Sequence, residues 1–227
     1  MAKKKSKFLK HQKIFAGAIA AVFLGVISYV SILVIKDSPL GEFVEGEHYS
    51  VIDQPRRIRG DKVEVMEFFS YACSACYRFE PLIKNWVSDK GDFVKFVRSP
   101  LPANETWRRA TQHYYAMEKL GVLEEMHDKF FHAIHDRKLN IGSSARLAKW
   151  ASENDIAGYE DAFNSADVKR KVTLANQLAR RFQVASVPTL LVQGKYMIRL
   201  NNSIGQARML EVLDHLIELE QTPPNVN

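Results

Sequence analysis

The chain has only two cysteines, and they stand three residues apart in Cys73-Ser74-Ala75-Cys76. A disulfide framework and a four-cysteine zinc site are thereby excluded. The run Lys62-Val-Glu-Val-Met-Glu-Phe-Phe-Ser70 before the pair reads as a strand, and Tyr77-Arg-Phe-Glu-Pro-Leu-Ile-Lys-Asn-Trp-Val87 after it reads as a helix. The pair therefore sits where a strand hands over to the first turn of a helix. Unpaired backbone N–H groups and the helix dipole favour an anion at that place. A thiol there loses its proton more easily than a free cysteine. The sequence thus predicts a reactive dithiol at a strand-to-helix junction.

Other readings of the pair fare worse. Covalent haem attachment needs His directly after the second Cys, and position 77 is Tyr. A mixed zinc site needs His or carboxylate partners. The nearest histidine cluster is His127, His132 and His135, far along the chain, and it reads as the solvated face of an amphipathic helix. Two buried structural cysteines are the bland alternative, and a strand-to-helix junction argues against it.

The formal net charge of +6 is not a nucleic-acid signature. Lys3, Lys4, Lys5, Lys7, Lys10 and Lys13 supply six positive charges before residue 14, with no acid among them. Without those six, 26 basic residues face 26 acidic ones. The remainder is formally neutral, so a general polyanion-binding surface has no support. The lysines instead precede a charge-free run from Ile14 to Ile35, bracketed by Lys13 and Lys36. At some 22 residues, it is long enough to cross a bilayer core of ~30 Å. The lysines mark the cytoplasmic side and place the rest of the chain outside. A cleaved signal peptide is the alternative, but its apolar region is usually shorter, about 7 to 15 residues. Cleavage near Val26 and Ser28 would leave an apolar new terminus, which favours an uncleaved anchor. Both readings put the dithiol in an oxidising compartment.

The expected domain plan follows. Residues 1–13 form a basic cytoplasmic tail, 14–35 a transmembrane anchor or signal, and 36–60 a linker and lead-in. An α/β domain covers 61–221, with a helical insertion at about 104–182, and 222–227 form a tail. Within the domain, Lys62–Ser70 and Phe93–Arg98 read as strands. Asn104 is a plausible N-cap for a helix ending at Gly121. Further helical patterns cover 122–135, 144–154, 159–165, 167–182 and 207–220. Ser186-Val-Pro-Thr-Leu-Leu-Val192 reads as a buried strand, Gln193-Gly194 as a hairpin turn, and Lys195–Leu200 as the return strand. Pro188 inside a strand pattern is unusual, because proline cannot donate to a sheet ladder. It marks either the start of an edge strand or a cis peptide held beside the cysteines.

These residues resemble the DsbA-type thiol:disulfide oxidoreductases of the bacterial envelope, within the thioredoxin superfamily. The resemblance is carried by Val65–Glu80, by Ser186–Tyr196 and by helical segments such as Phe130-Phe-His-Ala-Ile134. It implies a thioredoxin-like fold with a helical insertion, here preceded by an N-terminal transmembrane helix. It implies that Cys73 is the exposed, acidic thiol and Cys76 its buried partner. Glu67 matches a buried strand glutamate beneath the cysteines, Glu80 a second acid, and Lys95 a buried lysine nearby. Glu67 also falls in an apolar run, where an unpaired carboxylate is costly. Val187 and Pro188 match a cis-proline loop whose backbone contacts substrate. The best-known members carry Pro-His between the cysteines, whereas this chain has Ser74-Ala75, which bears on the strength of the oxidant.

By this resemblance the substrates are reduced exported proteins, and a quinone-linked membrane protein of the DsbB type is the reoxidant. No cofactor, metal or nucleic acid is implied, and the protein is expected to be a monomer in the periplasm, tethered to the inner membrane. Two alternatives stay open: an envelope disulfide reductase or isomerase, and a membrane-tethered chaperone whose cysteines are incidental.

Overall fold

In the computed structural model the described residues are Gly25, 43–201 and 203–221. The expected membrane span, residues 14–35, lies outside them apart from Gly25. Among the described residues no helix is long and apolar enough to cross a membrane.

The described residues form a five-stranded sheet in the order β1-β5-β4-β2-β3. These strands are β1 Ser50–Val51, β2 Val63–Phe69, β3 Val94–Pro100, β4 Thr189–Val192 and β5 Tyr196–Arg199. Strand β2 runs parallel to β3 and antiparallel to β4. Every residue of β2 is buried, because both faces of the sheet are covered. A strand covered on both sides reads as a nearly continuous apolar run, as here.

Period-two alternation sorts the side chains of β2 between two cores. Val63 and Val65 pack with Phe79, Ile83 and Trp86 of helix α1, Ser74–Lys90, and with Met209, Val212 and Leu216 of helix α7, Gln206–Gln221. Met66 and Phe68 point the other way, against Ala179 and Phe182. Glu67 has the parity of Val63 and Val65, so the strand aims its carboxylate under α1.

Five helices stand between β3 and β4: α2 Glu105–Leu120, α3 Leu123–His135, α4 Ser144–Glu153, α5 Tyr159–Asn164 and α6 Ala166–Arg181. Local signals bound them. The Asn104 side chain accepts from the Trp107 N–H at 2.9 Å, and Gly121 ends α2 in the left-handed region at φ 73°. The insertion has its own core, in which Phe130, Phe131, Leu147 and Trp150 pack with Phe69 and Tyr71 from the end of β2. That shared core seats the insertion directly over the junction that carries the cysteines.

The stretch read as linker and lead-in contributes to the sheet. Ser50 and Val51 pair with Met197 and Tyr196. The Arg56 N–H donates to the Gly194 carbonyl at 3.0 Å, and the Arg56 guanidinium pairs with Glu64.

Candidate active site

Cys73 is the N-cap of α1. Its sulfur accepts a hydrogen bond from the Cys76 N–H at 3.3 Å, the place usually taken by a Ser, Thr or Asp oxygen. The turn leading to it is pinned at Ser70, whose carbonyl accepts from the Cys73 N–H at 3.0 Å. The Ser70 hydroxyl accepts from the Ala72 N–H at 3.2 Å. Across the cleft lies the Val187–Pro188 peptide, which is cis, as one of the two sequence readings held. The Cys73 thiol donates to the Val187 carbonyl at 3.5 Å, and Pro188 is buried. Ser74 is exposed, and Ala75 is half-buried.

The two sulfurs differ in environment and therefore in acidity. Both are free thiols; Cys73 is half-buried and Cys76 is buried. Cys73 is lowered from the ordinary thiol value to about 6. The largest cause is the hydrogen bond from the Cys76 thiol; burial opposes it, and the Cys76 and Ala75 N–H groups and the Arg78 charge add to it. Cys76 moves far the other way. Burial disfavours its charge first, the neighbouring Cys73 sulfur second, and a charge on Glu67 pushes it up further. One thiol is thus held as a thiolate near neutral pH, and the other stays protonated.

Beneath the pair lies a buried polar chain. Glu67 is 1% exposed, and its Oε2 has no hydrogen-bond donor among the described residues. Burial, then the Glu80 charge, raise its carboxyl to about 8, while Arg98 pulls against them. Arg98 Nε stands 3.6 Å from Glu67 Oε2, and Arg98 Nη2 donates to Glu80 Oε1 at 2.5 Å. His127 Nε2 lies 3.3 Å from Glu80 Oε2, and His127 Nδ1 lies 2.7 Å from the Tyr71 hydroxyl. Burial works to raise Glu80, but His127 and Arg98 hold it below its ordinary value.

The basic partner of Glu67 is not Lys95, and that expectation is corrected. Lys95 pairs in register with Glu64, on the opposite face of the sheet from Glu67. Its side chain is 58% exposed and donates to Glu64 at 3.0 Å. Arg98 is the residue in register with Glu67. The alternation Val94, Phe96, Arg98 carries that signal, since the first two face the α1 core.

Of the three histidines only His132 lies on a solvated face; His127 and His135 are turned inward. His127 is buried. His135 Nε2 donates to the Tyr71 carbonyl at 2.8 Å, and its ring stacks on Tyr77 at 4.7 Å. The Tyr77 hydroxyl reaches His132 Nδ1 at 2.9 Å and Asp136 Oδ2 at 2.7 Å. Helix α3 therefore grips the residues on both sides of the cysteine motif. A groove of about 690 Å³ runs beside α1, lined by Tyr77, Pro81, Lys84, Phe131, His132 and Gln206.

This geometry has known counterparts. Residues 64–216 match the family described as DSBA-like thioredoxin domain. The chain belongs to the DsbA-like thioredoxin family. It is 31% identical over 183 residues to the thiol:disulfide interchange protein DsbA of Pseudomonas aeruginosa, covering 79% of this chain and 87% of that protein. The Burkholderia cepacia protein of the same name is 33% identical over 175 residues, 74% of this chain and 82% of that one. The crystal structure of Pseudomonas aeruginosa DsbA superposes with a TM-score of 0.74 at 31% identity, over 79% of this chain and 95% of that one. The fold is thus thioredoxin-like, mixed α/β, and the chemistry of the DsbA-like site is dithiol–disulfide exchange.

Two outcomes test the site. Alkylation of reduced protein by iodoacetamide is expected at Cys73. A lowered pKa means that the thiolate is present above it, so the rate should rise tenfold per pH unit below about 6 and level off above. A midpoint near ~8.5, that of a free cysteine, would refute the assignment. Replacing Arg98 by Met leaves two buried carboxyls without their cation and should cost about 3 kcal/mol or more in urea unfolding. Lys95→Met removes an exposed cation and leaves the buried Glu64 paired with Arg56, so it should cost less than about 1 kcal/mol. Equal losses would restore Lys95 to the site.

Proposed function

We propose that this protein introduces disulfide bonds into exported proteins through the Cys73–Cys76 couple. A client thiolate attacks Cys73 Sγ of the oxidised couple. The client–Cys73 bond forms, the Cys73–Cys76 bond breaks, and Cys76 leaves with a proton. The client's second thiolate then attacks the client sulfur of the mixed disulfide and releases Cys73 as a thiolate. The client loses two electrons and the couple gains them. The observation that carries this reading is the N-cap placement of Cys73, because a stabilised thiolate is a good leaving group in the releasing step.

The other residues take roles on the same reading. Glu67 gives Cys76 its proton when that thiol leaves and accepts it when the couple is reoxidised. A carboxyl raised toward neutrality is suited to exchanging a proton in both directions. Glu80 and Arg98 hold Glu67 in place. The Val187 and Pro188 backbone receives the client chain beside Cys73, with the exposed Ser74 and the half-buried Ala75 on the rim.

The protein works in the periplasm as a monomer and is reoxidised by a quinone-linked membrane protein of the DsbB type. Residues 1–13 lie in the cytoplasm, 14–35 tether the chain to the inner membrane, and 36–60 lead into a thioredoxin-like domain at 61–221, with its helical insertion at about 104–182 and a tail at 222–227. A tether raises the effective concentration of the couple toward clients emerging from export and toward a reoxidant in the same bilayer.

Oxidised protein should speed disulfide formation in a reduced, unfolded dithiol protein. Cys73→Ser should abolish that rate, and Cys76→Ser should accumulate a mixed disulfide at Cys73. A reduction potential near about −270 mV, where thioredoxin lies, would instead assign a reductant. Intact mass of protein from membranes is expected to include residues 1–35, and a soluble mature chain beginning near Tyr29 would remove the tether.

A further inference from the structure

Most of what lowers Cys73 comes from the peptide groups and the partner thiol at the start of α1. The intervening dipeptide adds little through its side chains: Ala75 has no polar side-chain atom, and Ser74 is exposed. One distant side chain nevertheless touches this dipeptide. Gln206 Nε2 lies 2.6 Å from the Ala75 carbonyl oxygen, across 131 positions of sequence. A carbonyl oxygen only accepts, so the Gln206 group facing it must be the amide N–H donor.

The position of that donor is well determined. Gln206 is the first residue of α7. The turn before it is tied by Asn201 Oδ1, which accepts from the Ser203 and Ile204 N–H groups at 2.8 Å each. Ile204 is buried in the core shared by α1 and α7. Further along, Trp86 Nε1 of α1 donates to Asp214 Oδ1 of α7 at 2.8 Å, and Lys90 pairs with the same oxygen at 2.7 Å. The amide is therefore delivered from a fixed helix start and is not a wandering surface contact.

The Ala75 carbonyl and the Cys76 N–H are two ends of one amide, joined by resonance. A hydrogen bond accepted at the oxygen draws electron density from the nitrogen and strengthens the N–H as a donor. That N–H is the one that caps at Cys73 Sγ, 3.3 Å away. We propose that Gln206 is a positioning residue for the dithiol: by donating to the Ala75 carbonyl, it strengthens the Cys76 N–H toward Cys73 Sγ and so helps hold negative charge on that sulfur. The support enters through the main chain, in a motif whose intervening dipeptide adds little through its own side chains. Gln206 also borders the groove beside α1. A client segment that displaced its amide would weaken the thiolate while the client is bound.

The inference rests on the dithiol chemistry of the proposed oxidase. It is tested without client or reoxidant, so a failed oxidation assay and a failed Gln206 test are separate results. Gln206→Met keeps the length of the side chain and removes the donor. In reduced Gln206→Met the midpoint of the Cys73 alkylation profile should rise by about 0.2 to 0.6 of a pH unit, from a strengthening of roughly 10–30% in a charge-assisted bond. The Cys76 amide proton resonance should move upfield, as for a weakened hydrogen bond. The equilibrium with glutathione should shift by about 1.6- to 4-fold toward the oxidised protein. Gln206→Lys restores a donor and should return the midpoint to the wild-type value or below.

A purely structural tie between α7 and α1 would lower the melting temperature of Gln206→Met and leave both the midpoint and the Cys76 resonance unchanged; that result overturns the proposal. A raised midpoint in Gln206→Lys overturns it as well. Should Gln206→Met fail to fold, Gln206→Ala and Gln206→Lys decide it by the same two readouts.

Discussion

A sulfur atom caps helix α1, and the rest of the site is arranged around that single bond. The Cys76 N–H reaches Cys73 Sγ because β2 ends at Phe69 and the chain turns at once into the helix. The turn holds because Ser70 supplies both a carbonyl and a hydroxyl to it. Strand β2 holds because it is buried on both faces, by α1 and α7 on one side and by residues around α6 on the other. Each layer of packing fixes the place of the next, and the last member of the series is a thiolate. An oxygen cap at the same position would be as stable and chemically inert, so the choice of sulfur converts a helix start into a reactive centre.

The charges beneath the pair follow from the same geometry. A carboxylate placed under two sulfurs repels the negative charge that one of them carries. Glu67 is tolerated because Arg98 stands beside it and because its carboxyl takes up a proton more readily than an exposed one. The second acid, Glu80, is the better paired of the two, with Arg98 on one oxygen and His127 near the other. Two carboxyls on one guanidinium thus divide the work. One is held ionised and fixes the cation, and burial keeps the proton on the other up to about 8.

Much of this was legible in the sequence because it is written locally. The cysteine spacing, the strand before it and the helix after it suffice to place a dithiol at a helix start. The start and end of α2 follow from Asn104 and Gly121, whose preferences are properties of single residues. The family likeness rests on motifs in a fixed order. What depended on pairing was not legible. Lys95 and Arg98 are three residues apart on one strand, and only the register of β3 against β2 decides which meets Glu67. His127 sits on an amphipathic helix whose other polar residues are mostly exposed, and only the packing of that helix against Phe69 and Tyr71 buries it. Gln206 meets Ala75 across 131 positions, and no local pattern announces such a contact.

The capped sulfur also links two quantities that are usually measured apart. Folding and oxidation form a closed cycle: reduced and oxidised, folded and unfolded. The couple in the folded domain can be a stronger oxidant than the same two cysteines in an unfolded chain only if the reduced domain is harder to unfold than the oxidised one. The two differences are equal, at about 1.4 kcal/mol for every 30 mV. An anion at the N-cap stabilises the helix start of the reduced form, and the neutral sulfur of the disulfide does not do so to the same degree. Handing on a disulfide therefore tightens the donor. The gap between the unfolding curves of the two redox forms reads the oxidising power of the site directly, with no electrode and no client.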